Sequence, residues 1–368
     1  SLRLTLVLLL IMSRSLTEPS APYSSPENSR QPVRSQALLR RMRFMLMAIV
    51  LLAIVILLSL LSGAKSVPLH TVIGALQGQC TLLPDCVIIR DARLPRTLAG
   101  LLAGVALGLS GALMQILTRN PLADPGILGV NAGAGFAVVV GMTFFGATDV
   151  SQYLWFAFAG ALAATLIVAL IGAVGGGKVS PIRRTLAGVA LGAVLEGFSS
   201  GLSLLNPLVF DQLRFWQAGS LDIRSMAVIR VVTLPVVSGA VLALLMTRAL
   251  NNLSMGSDLA TALGTRIVPT QLCGLLAVTL LCGSATAAVG PIAFVGLIMP
   301  HIARHLAGTD PRWILPWTLV LTPVLLLTAD IAGRLLVPGE LRVSIVTAFI
   351  GAPVLILLVR NRHLMKRS

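Results

Sequence analysis

Ten long apolar stretches constrain the fold of this chain more than any other feature of its sequence. Each is about 17 to 25 residues long, which is the length that an α-helix needs to cross the hydrocarbon core of a bilayer. Hydrophobic residues make up 56% of the 368 residues and charged residues only 11%, a composition outside the usual range of soluble globular domains. The sequence therefore predicts an all-α polytopic membrane protein of about ten transmembrane helices. These spans are predicted at residues 44–62, 94–117, 126–146, 153–174, 185–205, 227–249, 269–289, 290–308, 313–336 and 343–360.

The first 38 residues do not share this pattern. An apolar run at residues 2–12, too short to cross a membrane, leads into a segment rich in Ser, Pro and charged residues. The run is compatible with the hydrophobic region of a signal peptide, although no convincing cleavage site follows it. We expect residues 1–38 to form a poorly ordered N-terminal extension and residues 39–368 to form a transmembrane domain of ten helices.

The basic residues indicate the orientation of the spans. Lys and Arg in short loops favour the cytoplasmic side, and with both termini inside, seventeen of them fall on inner segments and nine on outer segments. The net charge of +15 lies in short clusters between apolar runs, a pattern that does not predict a nucleic-acid partner. We therefore expect both termini to be cytoplasmic, which leaves Arg93, Arg96 and Arg334 outside, against the bias.

Two cysteines, Cys80 and Cys86, fall in the same predicted outer loop, GQCTLLPDCV. A disulfide between them would persist in an oxidising periplasm. The sequence leaves the paired and unpaired states open.

A few ionisable residues lie within the predicted spans. Glu196 is a functional candidate because carboxylates are costly in a membrane; it is either a hydrogen-bonded residue beside a water-filled cavity or a proton carrier. Asp330 and Arg334 stand four residues apart and are expected to pair on one helix face. His301 and His305 lack a carboxylate or Cys that would complete a metal site, so we predict no metal site.

Three glycines in the second span, Gly100, Gly104 and Gly108, follow the GxxxGxxxG spacing. Small residues at this spacing let two helix backbones approach closely. The pattern predicts a packed helix bundle and says little about function.

Two irregular segments interrupt the spans at the predicted inner face. TRNPLADPGILG, at residues 118–129, holds two prolines and two glycines and predicts an ordered turn. NNLSMGSDLATALGTR, at residues 251–266, predicts a short helix with Ser257 as N-cap and Gly264 as C-cap. Its apolar ridge of Leu259 and Leu263 is typical of a docking element, and an ordinary surface helix is the alternative.

The segment GAVGGGKV, at residues 172–179, has the skeleton of a phosphate-binding loop. Val179 stands where that loop needs Ser or Thr to bind magnesium, and the segment ends a span rather than joining a strand to a helix. We therefore expect that any ATP is hydrolysed by another chain.

Five longer motifs resemble those of one membrane protein family. They are RLPRTLAG at 93–100, NPLADPGILGVNAGAG at 120–135, TLAGVALG at 185–192, GPIAFVGLIMPH at 290–301 and ADIAGRLLVPGELRVSIVTAFIGAPVLILL at 329–358. Over residues 44–362 the chain resembles the permease subunits of ABC importers for ferric siderophores, haem and cobalamin. Within that family it looks most like the permeases for catecholate siderophores such as ferric enterobactin.

The resemblance implies a bundle like that of the cobalamin importer permease, a type II ABC importer, in the bacterial inner membrane. It implies four kinds of partner: a second permease, as a sibling heterodimer rather than a homodimer, two cytoplasmic ATPase subunits, a periplasmic siderophore-binding protein, and the ferric siderophore as cargo. The chain itself would bind no cofactor, because ATP and Mg would be used by the ATPase subunits.

The resemblance also implies roles for particular residues. Arg93, Arg96 and Arg334 match outer-face arginines that, in the cobalamin member, bind carboxylates of the binding protein. The alternative is that they anchor helix ends at the membrane surface.

Two further sets match the inner face of the family's permeases. The residues that match its cytoplasmic gate are Asn120, Leu122, Ser180 and Pro181. The residues that match its ATPase coupling loop are Leu253, Ser257, Asp258, Leu259, Leu263 and Gly264.

The function predicted from these observations is transport, not catalysis. The chain would be the permease of an ATP-driven importer that passes a ferric catecholate siderophore from periplasm to cytoplasm. One alternative keeps the family and changes the cargo to another iron chelate, haem or cobalamin. A second alternative, from a different class, is a proton-coupled secondary transporter that uses Glu196.

Overall fold

The computed structural model describes residues 31–63, 67–79, 84–147, 149–173, 181–337 and 339–360. The chain divides into two units, residues 1–44 and residues 45–368. Regular structure in the described residues is helical. The α-helices are α1 (Gln31–Leu61), α2 (Leu69–Leu76), α3 (Pro84–Val87), α4 (Leu94–Thr118), α5 (Val130–Phe145), α6 (Val150–Ala173), α7 (Pro181–Leu204), α8 (Pro207–Gln217), α9 (Met226–Leu245), α10 (Thr247–Ser254), α11 (Ser257–Ala262), α12 (Ile267–Val289), α13 (Val295–Ala307), α14 (Pro311–Leu336) and α15 (Val343–Arg360), with a π-helix at Ile88–Arg93 and a 3-10 helix at Pro125–Leu128.

Seven helices among the described residues are long and apolar enough to cross a membrane. They correspond to the first, second, fourth, fifth, sixth, seventh and ninth predicted spans. Helices α5 and α15 match the third and tenth spans and are shorter apolar helices. The prediction of an all-α polytopic membrane protein is therefore confirmed.

The eighth predicted span is not one continuous helix. Residues 290–308 were predicted to be helical throughout, but helix α12 ends at Val289 and α13 begins at Val295. Pro291 cannot continue a helix hydrogen-bond ladder, and Phe294 has a left-handed backbone with φ of 68°. The remaining helix of 13 residues is about 20 Å long, too short to cross a hydrocarbon core of about 30 Å.

Helix α4 lies at the centre of the bundle, with 78% of its apolar segment buried. Its three glycines face helix α14, and a Cβ added at Gly104 would lie 2.6 Å from the Cα of Pro323. Gly100 faces Leu327 and Gly108 faces Thr322, so the two helices run antiparallel. The close helix packing predicted from the GxxxGxxxG spacing is confirmed.

The same antiparallel pair defines the two ends of the bundle. Helix α4 has 25 residues and is about 37 Å long. Arg96 lies at its beginning, close to the end of α14, whereas the turn at residues 118–129 follows its other end. We call these the arginine end and the turn end of the bundle.

Candidate functional site

Arg96 binds a buried carboxylate at the arginine end of the bundle. Its Nε and Nη2 donate hydrogen bonds to the two carboxylate oxygens of Asp330, at 3.1 and 2.9 Å from Oδ2 and Oδ1 respectively. Asp330 is 1% exposed and also binds Arg334 Nη2 at 2.9 Å. Bidentate pairs of this kind fix the planar guanidinium in one orientation. The predicted pair of Asp330 and Arg334 is therefore confirmed, and Arg96 joins it from another helix.

Arg93 and Arg334 bind the carboxyl end of helix α1. Arg93 Nη1 donates to the carbonyl oxygens of Leu60 and Leu61, at 2.8 and 2.7 Å. Arg334 Nη1 donates to those of Ser59 and Ser62, at 3.1 and 2.9 Å. The last carbonyls of a helix have no partner within the helix and carry partial negative charge. The two cations therefore cap α1 and join it to helices α4 and α14.

The three arginines predicted to dock a binding protein are thus brought together, but they point inward. Arg93, Arg96 and Arg334 are 5%, 8% and 8% exposed. Their hydrogen bonds and ion pairs lie within the chain, at the end of helix α1 and on the acids that surround Arg96. Docking stays a prediction, and it applies best to Arg96, whose guanidinium reaches an exposed carboxylate.

That exposed carboxylate belongs to Glu340, which the sequence analysis did not single out. Glu340 Oε2 accepts a hydrogen bond from Arg96 Nη1 at 2.7 Å, and its side chain is 43% exposed. A second acid, Asp222, lies 3.9 Å from the same nitrogen and is 39% exposed. The sequence does contain a signal for Glu340. It is an acidic residue next to Gly339, and it follows helix α14, whose last turns hold the buried Asp330 and Arg334.

The predicted gate segment forms an ordered turn at the other end of the bundle. The backbone N–H of Leu122 donates to Asn120 Oδ1 at 3.0 Å, and that of Gly126 donates to Asp124 Oδ1 at 2.8 Å. Asp124 thereby caps the 3-10 helix. Burial raises the pKa of its carboxyl above the ordinary value, and the Gly126 hydrogen bond opposes this.

Two of the predicted residues lie outside the described residues. Ser180 is one of the four gate residues, and Pro181 beside it is the first residue of helix α7. Cys80 is the second predicted residue that lies outside the described residues. Cys86 is buried and takes part in a disulfide. The gate role of Ser180 and the Cys80–Cys86 pairing stay predictions.

The predicted short helix in the inner loop is present as α11, Ser257–Ala262. Its predicted caps were each wrong by one residue: Gly256 is the N-cap and Leu263 the C-cap. Gly256 has φ of 122°, a conformation in which a side chain is strained, so the turn comes before Ser257. Gly264 follows the helix with φ of 79°.

The loop presents apolar side chains to its surroundings. Leu259 and Leu263 are 48% and 54% exposed, and Met255 beside them is 49% exposed. Leu253, predicted as part of the coupling surface, is 1% exposed and packs into the bundle instead. Asp258 stands in the first turn of α11, where a negative charge is favourable.

A cavity of about 540 Å³ lies between this loop and the turn at residues 118–129. Two arginines, Arg119 and Arg304, line it together with Asn251, Ser254 and Asp310. The cavity adds polar and basic groups to the apolar surface of α11 at the turn end of the bundle.

Glu196 lies on helix α7 and is exposed. In the described residues it makes no ion pair or hydrogen bond with another side chain. The described His, Cys, Asp and Glu side chains form no group of three that could hold a metal ion.

Comparison with known proteins gives consistent results for most of the chain. Residues 51–361 match the FecCD transport family. The chain is 66% identical over 314 residues to the ferric enterobactin transport system permease protein FepD of Escherichia coli (strain K12), which covers 85% of this chain and 94% of the relative. It is 35% identical over 300 residues to the ferric enterobactin transport system permease protein FepG of the same organism, which covers 81% of this chain and 89% of the relative.

A solved structure shares the fold. It is described as an inward-facing conformation of a metal-chelate type ABC transporter, and it matches 87% of this chain and 99% of its own with a TM-score of 0.75 and 28% identity. Because both the family match and the relatives extend over most of its helices, the chain belongs to the FecCD transport family.

Proposed function

We propose that this chain is the permease subunit of an ATP-driven importer that carries a ferric catecholate siderophore, ferric enterobactin or a close relative, across a bacterial inner membrane. The observation that carries the proposal is the 66% identity to a ferric enterobactin permease along 94% of its length. The chain is a multi-pass membrane protein and a transport subunit. ATP and Mg are used by separate ATPase subunits.

Helix α7 supports the presence of a second permease. It is the least buried of the seven long helices in the described part of the chain, at 11%, and it has the lowest mean hydropathy, 1.4. Helix α1 is also exposed, with 22% buried, but its mean hydropathy is 3.2, as expected for a helix that faces lipid. Polar groups are costly in lipid, so we infer that α7 faces a second permease and the pathway between the two.

The second permease is proposed to be a sibling rather than a copy of this chain. In Escherichia coli two different proteins are named as ferric enterobactin permeases, and this chain resembles them at 66% and 35% identity. A pair of unlike permeases agrees with that arrangement.

The two ends of the bundle are proposed to bind the remaining partners. The excess of basic residues favours a cytoplasmic location for both termini and the turn end. There the exposed ridge of Leu259 and Leu263 would contact an ATPase subunit. The arginine end would then face the periplasm and receive the siderophore-binding protein.

A second candidate function rests on Glu196. An exposed carboxylate within a long apolar helix is a candidate proton carrier, and it would make the chain a proton-coupled transporter. The described structure gives it no chain of Asp, Glu or His side chains toward either end, so we prefer the ATP-driven function.

Uptake by reconstituted transporter separates these functions. The chain would be co-expressed with its sibling permease and ATPase, placed in proteoliposomes with the binding protein, and supplied with radiolabelled ferric enterobactin. We expect uptake with ATP, none with an ATPase variant that cannot hydrolyse ATP, and continued uptake by Glu196→Gln.

Two results would contradict the proposal. Uptake driven by a proton gradient without ATP, and lost in Glu196→Gln, would establish the proton-coupled function instead. ATP-dependent uptake of haem or cobalamin, with no competition from ferric enterobactin, would keep the importer and change its cargo.

A further inference from the structure

The guanidinium of Arg96 binds a buried acid on one side and meets partly exposed acids on the other. Nε and Nη2 bind Asp330, which is 1% exposed. Nη1 binds Glu340, whose side chain is 43% exposed, at 2.7 Å. The buried pair holds the arginine in place, so Nη1 is a fixed donor beside the partly exposed acids of the arginine end.

Glu340 is a replaceable partner for that donor. Its side chain is 43% exposed, so water and salt screen its ion pair with Arg96 more than they screen the buried pair of Arg96 with Asp330.

The acids around Arg96 differ in how firmly they are held. Asp222 lies 3.9 Å from Nη1, and the neighbouring Arg224 binds the same carboxylate at 3.4 Å. Asp330 is buried between two arginines. Glu340 is therefore the carboxylate that can leave Arg96 without exposing another buried charge.

We propose that Glu340 occupies the place of a partner's carboxylate, and that an acidic side chain of the siderophore-binding protein displaces it from Arg96 when the two proteins dock. This inference rests on the proposed function, which supplies the partner. The chemistry required of that partner is one carboxylate on its docking surface. Glu340 thereby sets the affinity of the permease for the binding protein.

The test measures the affinity of the ferric-enterobactin-loaded binding protein for the assembled transporter in nanodiscs. Glu340→Gln keeps the shape of the side chain but removes the competing charge. We expect it to tighten binding about two- to fivefold, the range expected when an exposed ion pair is removed. High salt should reduce the difference from the wild type, because it screens exposed charges.

A matched control removes a negative charge nearby without touching Arg96. Asp91 is exposed and lies in the π-helix Ile88–Arg93 at the same end of the bundle. Asp91→Asn should change the affinity by less than Glu340→Gln. An equal gain in both variants would indicate general charge repulsion and overturn the proposal, as would unchanged or weaker binding by Glu340→Gln.

Two further variants, Arg96→Lys and Arg96→Gln, test whether the binding protein docks at Arg96 at all. They distinguish that question from the role inferred for Glu340. The lysine keeps the charge, so a loss of affinity in the glutamine variant alone supports a carboxylate partner. Failure of the proposed function would be visible in the wild type, as absence of ATP-dependent uptake. Failure of the Glu340 inference leaves that uptake intact.

Discussion

Asp330 is the residue on which the arginine end depends. Its carboxylate binds the side chains of Arg96 and Arg334, which come from two different helices. All three groups are nearly inaccessible to solvent. Since a buried ion needs a partner of opposite charge, the two arginines could not keep their positions without it.

Replacing Asp330 with Asn should destabilise the permease strongly. The variant would remove the carboxylate that Arg334 binds and leave Arg96 with only the partly exposed Glu340, and the loss of one partner from a buried ion pair costs about 3 to 5 kcal/mol. Thermal unfolding of the purified protein in detergent measures the effect as a lower Tm. Glu196→Gln, which neutralises an exposed carboxylate, is the control and should leave Tm unchanged; a similar Tm for both variants would contradict the assigned role of Asp330.

The three buried arginines, Arg93, Arg96 and Arg334, are exceptions to the bias of basic residues toward the cytoplasmic side, and their contacts explain why. Lys and Arg orient a membrane protein when they lie in its short loops. Arg93 and Arg334 bind the final carbonyls of helix α1, and Arg96 binds Asp330. Their presence on the predicted outer side reflects these contacts within the folded chain.

At the scale of elements, close contact between helices α4 and α14 depends on glycines in α4, which have no side chain. A Cβ at Gly104 would approach the backbone of Pro323, which cannot move as a flexible side chain can. Gly111, further along the same helix, faces the backbone of Gly296 in α13. Helix α4 is therefore in close backbone contact with two neighbours.

Gly104→Ala should destabilise the bundle. The added methyl group would force α4 and α14 apart, and overpacking of this kind typically costs about 1 to 3 kcal/mol. Gly197→Ala is the matched control, because a Cβ at Gly197 in helix α7 meets nothing within 4 Å in this chain. Unfolding in detergent should show a lower Tm for the first variant only, and an equal loss in both would count against close packing as the cause.

At the scale of the whole molecule, the two ends have different surfaces. The arginine end carries ionised groups that are paired within the chain, while the turn end carries the apolar ridge of α11 and a cavity lined by arginines. Helix α4 connects these ends directly. A rigid-body movement of α4 and α14 would therefore link a partner at one end to a partner at the other.

Replacing Leu259 and Leu263 together with Glu should prevent assembly with the ATPase. Both side chains are exposed, so the change should leave the fold intact while placing two charges in an apolar contact. Co-purification of the ATPase with the tagged permease measures the result. Leu208→Glu, an exposed leucine in α8, is the control; retention of the ATPase by the double variant would argue against coupling through α11.

The sequence alone was sufficient for the features that depend on composition and local pattern. Apolar length predicted the membrane helices, glycine spacing predicted the close packing of α4, and a run of capping signals predicted α11. The pairing of Asp330 with Arg334 followed from their spacing on one helix. These features have local causes, because they depend on residues within a few turns of one another.

Only the tertiary structure decided which charges meet. Arg96 and Asp330 stand far apart in the sequence, and antiparallel packing of α4 against α14 brings them into contact. The backbone of the loop after α14 then places Glu340 on Nη1 of the same arginine. Composition and spacing determine that such groups exist near a membrane surface, whereas their partners depend on how distant helices pack, and that packing is not encoded in any short segment.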